Sequence, residues 1–232
     1  MRHFQKLLTL FSKSKFDIFG DVNQSIYDYQ SIHNWEELND TIFNSKANVL
    51  GLNKSYRTTM EISDTANLVL NHLNYDSAEC ISRSGSGIEI NETDDTSDIL
   101  IIINQIKEFL EKKYQTIAVI CKDDKETDYV FKQLEKYGIN ISKISEQNEQ
   151  YNGGVCIMPS YLSKGLEFDS VILYNTNDVN YTDSNIDIKL LYVAITRAMH
   201  ELFINYNGEL TKALQPLIKD KKNDLKLVKV KK

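Results

Sequence analysis

An α/β domain, built on a mostly parallel sheet with helices on both faces, is what this sequence predicts. Three observations lead there. From residue 87 onward, short strand-like runs alternate regularly with stretches of helical periodicity. Two of those runs, residues 116–121 and 170–174, are apolar almost without interruption, as strands covered on both sides are. Gly138 follows a helical stretch at the point where a left-handed residue would close it.

The elements read in order as follows. Phe16-Asp17-Ile18-Phe19 is strand-like and ends at Gly20-Asp21; a turn and then a helix carry the chain through Trp35-Glu36-Glu37-Leu38. Residues 48–52 read as another strand. From Thr58 the positions Ile62, Ala66, Val69, Leu70 and Leu73 have helical spacing, with Glu61 complementing the dipole in the first turn. Residues 76–87 read as a loop, 87–90 as a strand, and 97–113 as a helix with Ser97 or Asp98 near its N-cap. Strands are then expected at 116–121, 139–144, 154–158, 170–174 and 201–206, and helices at 124–137, 187–199 and 209–218. In such sheets ligands sit beyond the carboxyl ends of the strands.

Composition narrows the class. The 232 residues are 41% hydrophobic and 26% charged, enough for a real core in one large domain or a domain and a fraction. No apolar run approaches the roughly 18–20 residues of a membrane span, and the first residues, Met1-Arg2-His3-Phe4-Gln5-Lys6, lack a signal-peptide layout. The three cysteines (Cys80, Cys121, Cys156) have no metal-ligand spacing, and Cys121 and Cys156 fall in apolar strands as small core residues. Reduced thiols and a cytoplasmic location follow as expectations. A net charge of −6 argues against a self-sufficient nucleic-acid binder. The lysine-rich residues 219–232 read first as a solvated end, with phosphate contact as the alternative. His72 and His200 have no partner at ligand spacing and read as packing or surface residues.

Four segments carry chemistry. In Gly20-Asp21-Val22-Asn23-Gln24-Ser25-Ile26-Tyr27 the glycine permits a tight turn, and the Gln24 amide can donate to a phosphate oxygen or orient water; a polar turn is the plainer use. Leu52-Asn53-Lys54-Ser55-Tyr56-Arg57-Thr58 places an aromatic beside an arginine, suited to a stacked base and a phosphate, or simply to a surface. Lys164-Gly165-Leu166-Glu167-Phe168-Asp169 leads into a strand, and the Glu167 carboxylate can accept from a ribose hydroxyl. The helix-like Tyr192-Val193-Ala194-Ile195-Thr196-Arg197-Ala198 carries an arginine of the kind that meets a phosphate. No G-x-x-x-x-G-K-[ST] loop occurs in the sequence, so these segments amount to half of a nucleotide site.

Taken in this order, Gly-Asp-x-x-Gln-Ser-Ile-Tyr, Ser-Tyr-Arg-Thr, Lys-Gly-Leu-Glu-Phe-Asp and Leu-Tyr-Val-Ala-x-Thr-Arg-Ala resemble the third to sixth motifs of superfamily 1 helicases of the UvrD/Rep type, over residues 16–206. The resemblance implies a RecA-like P-loop NTPase fold: residues 1–45 as the end of a first motor domain, 46–220 as the second, and 221–232 as a basic tail. It also implies an ATP-dependent motor on single-stranded DNA that uses ATP and Mg2+. Carried over by position, Gln24 contacts the γ-phosphate and couples it to the DNA groove. Tyr56 stacks on adenine, Arg57 and Arg197 act as arginine fingers, Glu167 holds the ribose and Gly165 lets backbone come close. Tyr27 and Tyr29 match aromatics that stack on or flank bases, and Tyr161 lies where the family touches DNA.

The departures matter equally. The phosphate-cradling lysine loop, the acidic magnesium-binding motif and the DNA-contacting motif between them do not occur in the sequence. The chain alone is therefore expected not to hydrolyse ATP, its site being completed by a complementary polypeptide that carries the Walker A and B half. Pro159-Ser160-Tyr161 replaces the family's Thr-x-His, and Gln30-Ser31 replaces its Arg-Gly, removing expected phosphate contacts. The stretch from Pro159 to Asp169, with Trp35, most resembles the HelD-like branch, whose members remove nucleic acid from RNA polymerase. The competing expectation is a non-enzymatic module that docks on RNA polymerase or another partner protein.

Overall fold

The computed structural model describes residues 6, 10, 14–26, 34–51, 54–55, 57–73, 79–80, 84–94, 96–147, 151, 153–219 and 228–231, with backbone alone at 54–55, 79–80 and 228–231. The chain divides into two compact units, residues 1–53 and 54–232.

In the first unit, Asp21 opens a single 3-10 turn, Val22–Gln24, by accepting the Asn23 amide at 2.9 Å. Helix α1, Trp35–Phe43, begins at Asn34, whose side chain accepts the Glu37 amide, and Glu36 and Glu37 complement its dipole. The strand expected at 16–19 does not form, and Phe19 is 83% exposed. Nor does one form over residues 48–51, where Leu50 is 86% exposed. An apolar run becomes a strand only where a neighbour takes up its N–H and C=O groups, and no strand is described within this unit.

The second unit holds a short parallel pair, β1 (Lys54–Ser55) and β2 (Glu79–Cys80), and a larger sheet. The strands of that sheet are β3 (Ile88–Thr93), β4 (Thr116–Cys121), β5 (Ser142–Lys143), β6 (Gly154–Pro159), β7 (Phe168–Leu173), β8 (Ala198–Asn207) and β9 (Val228–Lys231). They run in the order β5-β6-β4-β7-β8-β3-β9, every pairing parallel. The connections hold α2 (Met60–Asn71), α3 (Asp98–Glu111), α4 (Asp124–Lys136), α5 (Asn185–Ile195) and α6 (Gln215–Lys219).

Alternation along the strands divides the core. Ile117, Val119 and Cys121 join Val155, Ile157 and Ile172 beneath Ile102, Ile106 and Phe109 of α3 and Val130 and Leu134 of α4. The intervening Ala118, Ile120, Met158, Val171 and Leu173 are equally buried, on the face that α2 and α5 cover. The α/β fold with a parallel sheet is thus the one expected, and burial on both faces explains the unbroken apolar runs. Cys121 and Cys156 are free thiols with no exposed surface.

Several boundaries differ from the sequence reading. The strand expected at 139–144 shrinks to β5, because Gly138 closes α4 and Ile139 is spent on that closure through its amide to the Leu134 carbonyl. The closing helix covers only Gln215–Lys219. In the lysine-rich tail, Val228 and Val230 lie in register with Ile88 and Ile90, so the backbone of the described part of that segment is an edge strand and not a frayed end. Ser97 is the N-cap of α3, as expected, but its side chain makes no cap bond; the polar groups before the helix gather on Asp94, one oxygen of which accepts the amides and hydroxyls of Thr96 and Ser97, which hold its pKa down at about 2.

Glu61 does more than face the dipole. It is buried, and accepts the Ser84 hydroxyl at 2.7 Å and the Gly85 amide at 2.8 Å, fastening that loop to the start of α2. A side chain at Gly85 would meet Thr59 at 2.5 Å, so the approach requires glycine. Burial opposes ionisation of Glu61, but the Ser84 hydroxyl and the backbone amides outweigh it and lower the pKa below the ordinary 4.5. Its contribution to stability is therefore full above pH 4.5 and lost as pH falls through the lowered value. Glu61→Gln should cost about 1–2 kcal/mol near neutral pH, and denaturant titrations of the two proteins should converge as the solution is acidified through that range.

Candidate functional site

Helix α5 is buried along most of its length; Ser184 caps it by accepting the Asp187 amide at 3.2 Å. It ends at Ile195, two residues before Arg197, and Ala198 already belongs to β8. Arg197 therefore sits in the turn between helix and strand, not inside a helix reaching to 199 as the sequence suggested. The residue is 1% exposed. Nε donates to the Val193 carbonyl at 3.0 Å, Nη1 to the Leu166 carbonyl at 3.0 Å and Nη2 to the Thr196 hydroxyl at 3.1 Å. The Arg197 carbonyl in turn accepts the Phe168 amide at 2.9 Å. Side chain and main chain together grip residues 166–168. Such bonds are what a buried cation needs, since desolvation alone costs several kcal/mol.

The gripped segment arrives through a 3-10 turn, Ser160–Ser163. Ser160 donates to the Lys122 carbonyl at 2.9 Å, Ser163 donates to the Ser160 carbonyl at 2.7 Å, and the Leu166 amide reaches the Ser163 carbonyl at 3.1 Å. Gly165 has φ +85 and nothing within 4 Å of a built Cβ. The glycine is thus required by the backbone reversal, not by close packing with the rest of the protein. Glu167 emerges next, and its Oε1 lies 2.9 Å from Nε of Arg57, with the two side chains 41% and 49% exposed. Asp169 turns inward instead, accepting the amides of Gln115 and Thr116 at 2.7 and 2.9 Å. There the β7–β8 register shifts, between Phe168 and Ser170.

Arg57, Glu167 and Arg197 are thereby brought together. Glu167 and Arg197 immediately precede β7 and β8, so the cluster lies at the amino ends of these strands. The rule of ligands beyond the carboxyl ends places it on the wrong edge, because here the charged residues enter strands instead of leaving them. Tyr161 is on the opposite edge, just after β6, and donates to Asp124 at the start of α4 at 3.0 Å. In the other unit, the Gln24 amide donates to Asp21 at 2.9 Å. Tyr27, Tyr29 and Tyr56 lie outside the described residues.

Sequence reasoning missed the groups that join the carboxyl edge. Lys122, which follows β4, donates its amide to Glu126 at 2.8 Å, accepts Ser160 at its carbonyl, pairs through Nζ with Asp187 and lies 4.6 Å from the centre of the Tyr181 ring. Glu126 also accepts the amides of Asn175 and Asn180, at 3.3 and 2.8 Å; burial raises its pKa despite these bonds. The recurrence of asparagine at 175, 177 and 180, and a lysine closing an apolar strand, were the available signals. His72 and His200 each face a carboxylate, Asp183 at 3.1 Å and Asp169 at 3.7 Å.

A parallel sheet sandwiched by helices is the α/β fold of helicase C-terminal, RecA-like domains. The sequence model of the UvrD-like helicase C-terminal domain matches residues 50–152 and 139–209, more than half of the chain, and the protein belongs to that family. It is 28% identical over 134 residues to the ATP-dependent DNA helicase PcrA of Leuconostoc citreum, an alignment covering 55% of this chain and 18% of the relative. A putative ATP-dependent DNA helicase of Acanthamoeba polyphaga mimivirus is 24% identical over 219 residues, 82% of this chain and 31% of the relative. The chain thus spans under a third of the length of these curated relatives. The crystal structure of the C-terminal domain of a possible DNA helicase from Lactobacillus plantarum WCFS1 superposes with a TM-score of 0.59 at 27% identity, covering 77% of this chain and 99% of that one.

With open space around it, Gly165→Ala tests backbone conformation alone. It should cost about 1–2 kcal/mol, read as a lower denaturant midpoint with an unchanged slope.

Proposed function

We propose that this chain supplies the second-domain half of the ATP site of a helicase or translocase, with the amino ends of β7 and β8 facing the nucleotide. The observation that carries the reading is the Arg57–Glu167 pair held beside the Arg197 turn, three family motifs converging on one edge. The donor set fits a nucleotide: half-exposed Arg57 offers a guanidinium to phosphate oxygens, and Glu167 offers acceptors to a ribose hydroxyl. Tyr56, next to Arg57 in sequence, is assigned to the adenine, and Gly165 to the reversal that presents Glu167. Magnesium is different. Among the described residues no group of three or more His, Cys, Asp or Glu is placed to hold a metal ion. Its carboxylates are assigned to the first motor domain, together with the phosphate-cradling lysine loop.

When bound, ATP supplies the phosphoryl group whose transfer drives movement. This chain's part is positional: its arginine charge lowers the cost of negative charge developing on the phosphate oxygens. Gln24 is assigned to coupling, and Tyr27, Tyr29 and Tyr161 to single-stranded DNA. For Tyr161 the support is its place on the edge opposite Glu167, ring beside Asp124. Residues 160–167 join the two edges in one short path, which gives a strand-side event a route to the nucleotide side. Within the family we assign the chain to the HelD-like branch on its 159–169 sequence and Trp35, and its location to the cytoplasm. None of the described helices is long and apolar enough to cross a membrane.

The isolated chain should show no ATPase activity above background. Adding a polypeptide that bears the lysine loop and the acidic metal block should restore turnover, and Arg57→Ala should then lower it by about 10³–10⁵. Turnover by the isolated chain would overturn the half-site, as would full activity of the Arg57 variant in the reconstituted enzyme.

A further inference from the structure

Away from the Arg57–Glu167 edge, an open groove of about 690 Å³ runs between α3 and the strands β3 and β8, within the roughly 300–1,000 Å³ of small-molecule sites. Its charge has one sign. Glu89 and Glu92 of β3, Asp94 in the turn and Glu108 of α3 line it, and no lysine, arginine or histidine does among the described residues. Asp94 takes up the Thr96 and Ser97 amides ahead of α3, so the positive end of that helix is already answered and recruits no anion. The carboxylates are spread along the groove; among the described residues no three acidic groups converge as a metal ion requires. Two carboxamides make this more than an acidic surface. Asn91 and Gln105 are only 6% and 5% exposed, and the surface they keep lines the groove. Neither side chain has a hydrogen-bond partner among the described residues. Thr93, next along the same face, is satisfied: it donates to the Tyr206 carbonyl and accepts the Asn205 amide, each at 3.1 Å. Buried amides without partners are costly, and native proteins keep few of them. Ile101 and Phe203 complete the lining with an apolar wall.

We propose that this groove binds a small organic cation, a linear polyamine: the carboxylates take its ammonium groups, the carbonyl oxygens of Asn91 and Gln105 accept its N–H groups, and its methylenes lie against Ile101 and Phe203. Elimination leads to this class. Four carboxylates repel phosphates and other anions. A metal ion has no convergent ligand set, and a neutral apolar ligand would leave the two amides as unpaired as before. A flexible chain carrying several ammonium groups matches carboxylates spaced along a groove, and each ammonium has donors to spare for an amide oxygen. The site is made by α3, β3 and Phe203, not by the amino ends of β7 and β8 where Arg57 and Glu167 meet, so it does not rest on the nucleotide reading. One other source of the same chemistry belongs to this chain: the backbone of Lys229 and Lys231 in β9 lies in register with Glu89 and Asn91. The experiment separates the two.

Spermidine is the probe, titrated into the full chain at fixed ionic strength, with magnesium chloride as the counterion control. The side-chain NH2 signals of Asn91 and Gln105 report on the groove. Spermidine should shift both saturably, and magnesium should shift neither. Gln105→Met, which keeps the shape and loses the amide, should weaken spermidine by about tenfold or more while the β4 amides stay protected from exchange. Glu92→Gln, at an exposed position, should weaken it by about threefold and serves if the methionine variant does not fold. Spermidine that moves neither amide overturns the proposal. Magnesium that moves the same two signals overturns it as well, by reducing the groove to a counterion surface. So does undiminished affinity in both variants. The doubly substituted chain, Lys229→Gln with Lys231→Gln, is the arm for the tail, and spermidine should bind it within about threefold of the unchanged chain. A gain of about tenfold there, with the Asn91 and Gln105 signals displaced before any ligand is added, assigns the groove to the tail lysines and overturns the free cation. None of these readouts involves Arg57 or Glu167, so the nucleotide reading stands or falls without them.

Discussion

In a sheet whose strands all run one way, each connection must return the chain from the end of one strand to the beginning of the next. Most connections here do so through a helix. The one between β6 and β7 does so in residues 160–167, though a strand of this length is roughly 20 Å long and β4 lies between the two. That short return decides the layout of the functional residues. It begins on the edge where Tyr161 and Lys122 lie and finishes on the edge where Glu167 and Arg57 meet. A single extended path with a 3-10 turn and one left-handed glycine covers the distance, leaving little slack for either end to adjust independently.

The stability of that path comes from main-chain carbonyls taken up by buried side chains. Ser160 reaches Lys122, Ser163 reaches Ser160, and Arg197 reaches Leu166. Each is worth about 0.5–1.5 kcal/mol net when made, with the charge-assisted Arg197 bonds at about 1.5–3. Leaving one unmade in a buried site costs a comparable amount again. The alternation of hydrophobic faces holds the sheet, whereas these bonds hold the loop between β6 and β7. The carboxylate of Asp169 performs the matching task one residue inside the strand, where the register between β7 and β8 slips.

The fold was legible because burial on both faces leaves an unmistakable trace: 116–121 and 170–174 are apolar at every step or nearly so. The family was legible as segments in order, and three of the four segments, at 52–58, 164–169 and 192–198, lie within the residues that the family model matches. Geometry was not legible. Phe16-Asp17-Ile18-Phe19 has the composition of a strand, but composition cannot state whether a partner lies alongside. Arg197 followed a helical pattern, yet the helix stops at Ile195, because Thr196 and Arg197 spend their side chains on the Val193 carbonyl. Nothing in a linear sequence distinguishes an arginine aimed at solvent from one turned back on the main chain. The amino-end location of the cluster was missed because a general rule about sheets was applied although residues 164–169 already read as leading into a strand.

The ion pair between Arg57 and Glu167 has a consequence in conformational entropy. Two long, half-exposed side chains on a surface contribute little attraction, about 0–1 kcal/mol. Yet a guanidinium already resting against a fixed carboxylate has given up part of its rotameric freedom before any ligand arrives. Immobilising such a side chain on binding costs about 0.5–1.5 kcal/mol, and here a share of that cost is met during folding. On the nucleotide reading proposed above, a phosphate reaching Arg57 displaces only a weak neighbour.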